Sequence, residues 1–206
     1  MWSAARVFIV AVVWAGSGAG AEIIFDGTPE DGPPPATLGP WDMTPFPPDP
    51  TPVYTDVVEV ASPLGGEVGF SIPLSHRVIG GGWCGWSHGY DGDVYYTMGQ
   101  QSVMLTLPVG TAAFYFYAEP NWGYYHEFQA ITDDGTTGIV YISHGYDARY
   151  FGFYSLGGET IASIEITATA DFALGEFGIA MIPAPGAAGA LVHAAVLTRR
   201  RKRPAE

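Results

Sequence analysis

The chain has 206 residues and a formal net charge of −13, with 48 % of its residues hydrophobic and only 14 % charged. So acidic a protein offers phosphates no basic patch, which excludes nucleic acid as a partner. Its one cysteine, Cys84, excludes an internal disulfide, so the fold must rest on buried apolar area alone.

In chain order, the first element is an export signal. Arg6, the apolar residues 7–15 and the small residues Ala19-Gly20-Ala21 form the charged, apolar and small-residue zones of a secretory signal peptide over residues 1–21, with cleavage after Ala21. The apolar stretch is short for a permanent span, and a non-cleaved anchor is the alternative. Either way the chain leaves the cytoplasm. The mature portion, residues 22–181, is the size of one domain. It holds 20 of the 21 acids but only two bases, Arg77 and Arg149, for a formal charge of −18. Solubility outside a cell accounts for this imbalance, and divalent cations, neutral glycans or basic surfaces are the partners it permits.

Residues 22–52 are a proline-rich strap or linker. Ten prolines fall within the 25 residues 28–52, and because proline removes donors and fixes φ, no regular strand or helix is expected there. Trp41 and Phe46 favour a strap across the domain, since a free linker gains nothing from large aromatic groups. Residues 53–181 change to a period of two. Val103, Leu105 and Leu107 alternate with Met104 and Thr106, and Ile164, Ile166 and Ala168 alternate with Glu165, Thr167 and Thr169, as half-buried strands do. Residues 113–117 are aromatic on both faces, and residues 172–180 are nearly continuously apolar around Gly175 and Gly178, which predicts strands covered on both sides. Glycine-rich turns punctuate the pattern and no segment reads as a helix. The prediction is all-β: an antiparallel β-sandwich of eight to ten short strands, jelly-roll-like, with a closed barrel as the alternative.

Ser87-His88-Gly89-Tyr90-Asp91 recurs as Ser143-His144-Gly145-Tyr146-Asp147. The echo marks either two equivalent turns, with His and Asp satisfying backbone groups, or two halves of a shared site. The first copy also completes Gly85-Trp86-Ser87-His88-Gly89, the spelling of a hydrolase nucleophile elbow, and Asp133 and His144 follow in triad order. That motif needs a strand before and a helix after, whereas residues 91–98 read as a strand, so no catalytic residue is assigned. Glu119 and Glu127 are carboxylates available to a glycosidase, but no spacing singles them out. Asp91, Asp93, Asp133 and Asp134 lie in oxygen-rich loops and are the candidate ligands of a structural calcium ion, although neither loop is an EF-hand and simple aspartate turns explain both. The histidines have no zinc-ligand spacing. Glu119, Asn121 and Trp122 read as a loop and form the candidate recognition edge for carbohydrate, with Trp83, Trp86, Tyr124 and Tyr125 as further aromatic faces; burial in the core is the alternative for each ring. Cys84 reads as buried and inert, with intermolecular pairing as the alternative.

The chain ends, over residues 182–206, with Pro183-Ala184-Pro185, an apolar run at 187–197 and the block Arg199, Arg200, Arg201, Lys202, Arg203. A basic block after an apolar segment halts in a membrane with the charges on the cytoplasmic side. The 14 residues 185–198 reach about 21 Å as a helix against a hydrocarbon core of about 30 Å, a marginal span that suits transient residence. This order resembles the C-terminal sorting signal of the PEP-CTERM family, exported bacterial proteins handled by a membrane peptidase, exosortase; Ala184 stands where that family generally has glutamate. The resemblance covers residues 182–203. It implies an exosortase-like peptidase and, transiently, the inner membrane as partners, and delivery to the envelope or an exopolysaccharide matrix. It says nothing of the body's role. That role is expected to be non-catalytic: structural, adhesive or glycan-binding. The alternative is a secreted hydrolase of extracellular polysaccharide.

Overall fold

The structure, a computed structural model, describes residues 22–145 and 147–183. The signal peptide, Tyr146 and the tail residues Ala184, Pro185 and Arg199, Arg200, Arg201, Lys202 and Arg203 lie outside the described residues. Among the described residues every regular element is a strand, and no helix is long and apolar enough to cross a membrane.

The proline-rich segment contributes β1 (Glu22–Asp26), β2 (Thr37–Leu38), β3 (Trp41–Asp42) and β4 (Thr44–Pro45); the last three overturn the expectation of no strand within residues 28–52, each only two residues long and fitted between or against prolines, where few backbone donors are needed. Then come β5 (Asp56–Ala61), β6 (Glu67–Ile79), β7 (Gly82–Trp83), β8 (Asp93–Tyr96), β9 (Ser102–Thr106) and β10 (Thr111–Pro120). The chain closes with β11 (His126–Thr132), β12 (Thr137–Ile142), β13 (Arg149–Leu156), β14 (Ser163–Ala168) and β15 (Phe172–Met181). One sheet runs β1-β13-β10-β15-β8-β6-β9-β14-β11-β12, with β4 added to β15 and β5 and β7 to β6; β2 and β3 form a separate pair. Every pairing in it is antiparallel except β6 with β7.

The sheet is nearly closed. Long β6 joins the group β8-β15-β10-β13 to the group β9-β14-β11-β12, because its Ser75, His76 and Arg77 pair with β8 while its Gly69 and Phe70 pair with β9. On the far side the end strands β1 and β12 approach, where the Thr136 hydroxyl donates to the Ile23 carbonyl at 3.0 Å and the Phe25 ring fills the space that a side chain at Gly138 would need. The predicted pair of facing sheets is therefore one continuous surface along the β6 side. Sequence periodicity carries straight into burial here. In β9, Val103 and Leu105 point inward and Ser102, Met104 and Thr106 outward, while β10 is buried at every residue.

Two apolar clusters use the two faces of the β8-β15-β10-β13 group. The inner cluster contains Phe114, Phe116, Phe128, Phe151, Phe153 and Phe172, with Phe116 and Phe151 stacked at 5.0 Å between ring centroids. Each fully buried Phe side chain stabilises the fold by about 1.5–3 kcal/mol relative to exposure. The outer cluster gathers Tyr115, Tyr117 and Tyr150 from the sheet under Leu38, Trp83 and Trp86. Proline-rich chain covers this face at Trp41, whose indole donates to the Ser155 carbonyl at 2.9 Å; it then pairs with β15, Thr44 and Pro45 opposite Ile179 and Gly178, and sends Phe46 into the inner cluster against Phe177 and Phe114. Gly39, at φ +55°, lies against the Tyr154 ring where a Cβ would overlap it.

Candidate functional site

The outer face of the β8-β15-β10-β13 group buries two glutamates in an otherwise apolar layer. Glu119, near the end of β10, is 0 % exposed. Its Oε2 accepts the Trp83 indole N–H at 2.7 Å and its Oε1 the Gly145 backbone N–H at 2.8 Å. Glu176 sits in β15 at a bulge, where the partners of Tyr115 and Tyr117 on β10 jump from Gly178 to Gly175. Bulges re-aim side chains, and this one turns the carboxylate outward at φ +53°, where Oε1 lies 2.8 Å from His88 Nε2 and Oε2 accepts from the Trp86 indole at 3.1 Å.

Burial pushes both carboxyls above the ordinary glutamate range, against the lowering effect of their hydrogen bonds and of the nearby histidines. The segment from β7 onward therefore acts as a clasp: Trp83 and Trp86, three residues apart, each give an indole N–H to one glutamate. The duplicated Ser-His-Gly-Tyr-Asp motif supplies the rest. Its first copy brings His88 to Glu176, and its second brings the Gly145 amide, with His144 nearby, to Glu119. The echo thus corresponds to two similarly furnished glutamates on one sheet face.

The nucleophile-elbow reading does not assemble. Ser87 Oγ is 3.0 Å from the ring of its own neighbour, His88, and His144 engages Pro120 and Cys84. Asp133 Oδ1 accepts from the Ala162 and Ser163 amides. Asp133 and His144 lie beyond opposite ends of β12, whose six residues span about 20 Å. The candidate calcium ligands divide in the same way. Asp134 accepts from Thr132 and Thr136 as a turn-builder. Asp93 binds His76 Nε2 at 2.8 Å and the Asp49 amide at 2.8 Å, and Tyr95 donates to Asp49 at 3.0 Å. Burial opposes ionisation of Asp49, but the bonds from Thr51 and Tyr95 outweigh it and leave that carboxyl low. Among the described residues no group of three or more His, Cys, Asp or Glu side chains is arranged to hold a metal ion.

The three residues of the candidate recognition edge lie in different surroundings. Glu119 does not face solvent, because Trp83 and the loop before β13 enclose its carboxylate. Asn121 is an anchor: its amide donates to the Tyr96 hydroxyl and to Asp171, and Tyr96 also donates to Asp171. Beyond that anchor the β10–β11 loop presents Trp122, Tyr124 and Tyr125, which are 59 %, 86 % and 78 % exposed. The loop is held from below. Gly123 accepts the His144 amide at 3.2 Å and Trp122 meets the His126 ring edge-on at 5.3 Å. Gly123 (φ +85°) sits over His126 Nε2, and Tyr125 is also in the left-handed region at φ +56°.

Cys84 departs from its predicted burial. It is exposed, because the two tryptophans on either side take the inward positions. Its sulfur lies 3.8 Å from His144 Nε2, and His144 Nδ1 lies 3.0 Å from the Pro120 carbonyl. A carbonyl only accepts, so Nδ1 carries a proton, and in the neutral ring Nε2 is free to accept from the thiol. Partial desolvation of the sulfur, though the residue as a whole is exposed, and the Glu119 charge nevertheless hold that thiol above its ordinary pKa. Sequence reasoning missed this pair, the Glu176 site and the His76–Asp93–Asp49 chain. Only Glu176 carries a local signal, as a single carboxylate inside a buried apolar strand. No family model, no curated protein and no solved structure matches this chain.

Proposed function

We propose that this is an exported, non-catalytic binding module that holds a neutral polysaccharide on the aromatic loop of Trp122, Tyr124 and Tyr125. The observation that carries the reading is the exposure of these three large side chains on a loop anchored by Asn121, Gly123 and His126. Aromatic faces left in water are costly unless a partner covers them, and the apolar C–H faces of pyranose rings stack on such surfaces. The formal charge of −18 over residues 22–181 repels polyanions and leaves neutral chains as the compatible partner.

The scaffold is read as a jelly roll, in which β8-β15-β10-β13 and β9-β14-β11-β12 are the two four-stranded layers and β1 and β6 are additions. Export rests on the sequence: the leader at residues 1–21, and the Pro183-Ala184-Pro185, apolar and Arg199-to-Arg203 pattern that resembles a PEP-CTERM signal. That pattern makes an exosortase-like peptidase the processing partner and the envelope or matrix the destination. Of the arrangements that would favour the hydrolase alternative, the Ser87, Asp133 and His144 cluster does not assemble.

The test is a panel of neutral and anionic polysaccharides against the exported protein, run with calcium and with a chelator. Retention by a neutral chain, lost on Trp122→Ala plus Tyr124→Ala, is expected. Binding that ignores both substitutions would refute the reading. The chelator arm separately tests calcium at Asp91, Asp93, Asp133 and Asp134.

A further inference from the structure

A second concavity lies away from the aromatic loop, between the proline-rich strap and the start of β8. It encloses about 470 Å³, within the range of small-ligand sites. Phe46, Tyr90, Tyr95, Tyr115 and Phe177 give it aromatic walls, and strap prolines close one side. Its charged lining is wholly acidic: Asp91, Asp93 and Glu176, with no lysine or arginine.

Two of these acids already face a histidine, Asp93 meeting His76 and Glu176 meeting His88. Asp91 makes no hydrogen bond or ion pair among the described residues, and it is exposed at the cleft. The Glu176 wall is held under backbone strain. Glu176 at φ +53° and His88 at φ +41° are both non-glycine residues in the left-handed region, and they touch each other. Strain of this kind persists where the surrounding structure over-determines it and clusters at ligand sites.

We propose that this cleft binds an organic cation through an alkylammonium group, with Asp91 as its counter-ion and the partly exposed Tyr90 and Phe46 rings against it. A metal ion fits poorly, since the aromatic and proline walls offer few of the six to eight oxygen ligands that calcium takes. An anion would meet three carboxylates. A neutral sugar would leave Asp91 unused, whereas an ammonium ion satisfies the carboxylate and the electron-rich ring faces together.

The probes are butylammonium and tetramethylammonium, with tert-butanol as the neutral control. Each is titrated into the protein while the backbone amide resonances of Gly92 and Glu176 are followed. Saturable shifts with both cations and none with tert-butanol are expected. Asp91→Asn, a substitution at an exposed position, is expected to weaken the cations by at least about fivefold, and Asp91→Lys to abolish binding. Equal response to tert-butanol, an Asp91→Asn affinity equal to wild type, or no shift with either cation would each overturn the proposal. Loss of polysaccharide binding in the Trp122 and Tyr124 variant leaves these titrations unchanged, so the two sites fail or stand separately.

Discussion

Replacing Glu176 by glycine and by alanine isolates the backbone strain at the β15 bulge. Both variants lose the bonds to His88 and Trp86, so their difference reports the main chain alone. At φ +53° a Cβ costs about 1–2 kcal/mol in the left-handed region. Glycine in a strand normally loses about 0.5–1 kcal/mol to alanine through the entropy of the unfolded chain. The first effect exceeds the second, so Glu176→Gly is expected to be more stable than Glu176→Ala by about 0.5–1 kcal/mol. At Ala173, in the same strand but outside the positive-φ residues, the change to glycine should carry the opposite sign. Urea denaturation with matched m values gives the difference from the midpoints. An alanine variant as stable as the glycine variant, or more so, would refute the strain assignment and with it the bulge as a held feature.

Glu119→Gln should destabilise the fold by about 1–3 kcal/mol at neutral pH, because an amide cannot accept from both the Trp83 indole and the Gly145 amide; a urea midpoint at or above wild type would contradict this. Burial raises the Glu176 carboxyl from 4.5, so the folded state holds that proton more tightly than the unfolded chain. The stability this group contributes is full below pH 4.5 and is lost as pH rises through the raised value. The stability of wild type minus that of Glu176→Gly should therefore fall between mild acid and neutrality, and a difference that grows with pH would show the sign to be wrong. Alkylation of Cys84 should rise at higher pH than that of a free cysteine, and Glu119→Gln should shift the profile downward by removing the charge that Cys84 faces; a wild-type profile at or below free cysteine contradicts the assignment.

Where one strand's own pattern determined the outcome, the sequence was readable. Val103 and Leu105 in β9 and Ile164 and Ile166 in β14 are buried as their alternation required, and β10 and β15 are covered on both faces as their aromatic and apolar runs implied. Long β6 carries its own alternation, Val68, Phe70, Ile72 and Leu74 against Gly69, Ser71, Pro73 and Ser75, but its neighbours were not readable, because only pairing with β5, β8 and β9 settles its course. The exposed aromatic loop was legible at Trp122 because large rings beside Pro120 and Gly123 have no local surface to cover them. Glu119 was misread for the opposite reason. A carboxylate in an acidic chain looks solvated unless its donors are known, and Trp83 and Gly145 lie 36 and 26 residues away in sequence. The same limit hid the contact between Cys84 and His144, 60 residues apart, and the paired glutamates that the duplicated motif serves.

The most direct measurement of the binding role is a calorimetric isotherm of a neutral polysaccharide retained in the panel, compared between wild type and Trp122→Ala plus Tyr124→Ala. Two exposed rings, worth about 0.5–1.5 kcal/mol each in stacking, should together change the affinity by about fivefold to 150-fold, while the urea midpoint of the variant stays at the wild-type value. An isotherm that the substitutions leave unchanged would contradict the assignment of the β10–β11 loop as the binding surface.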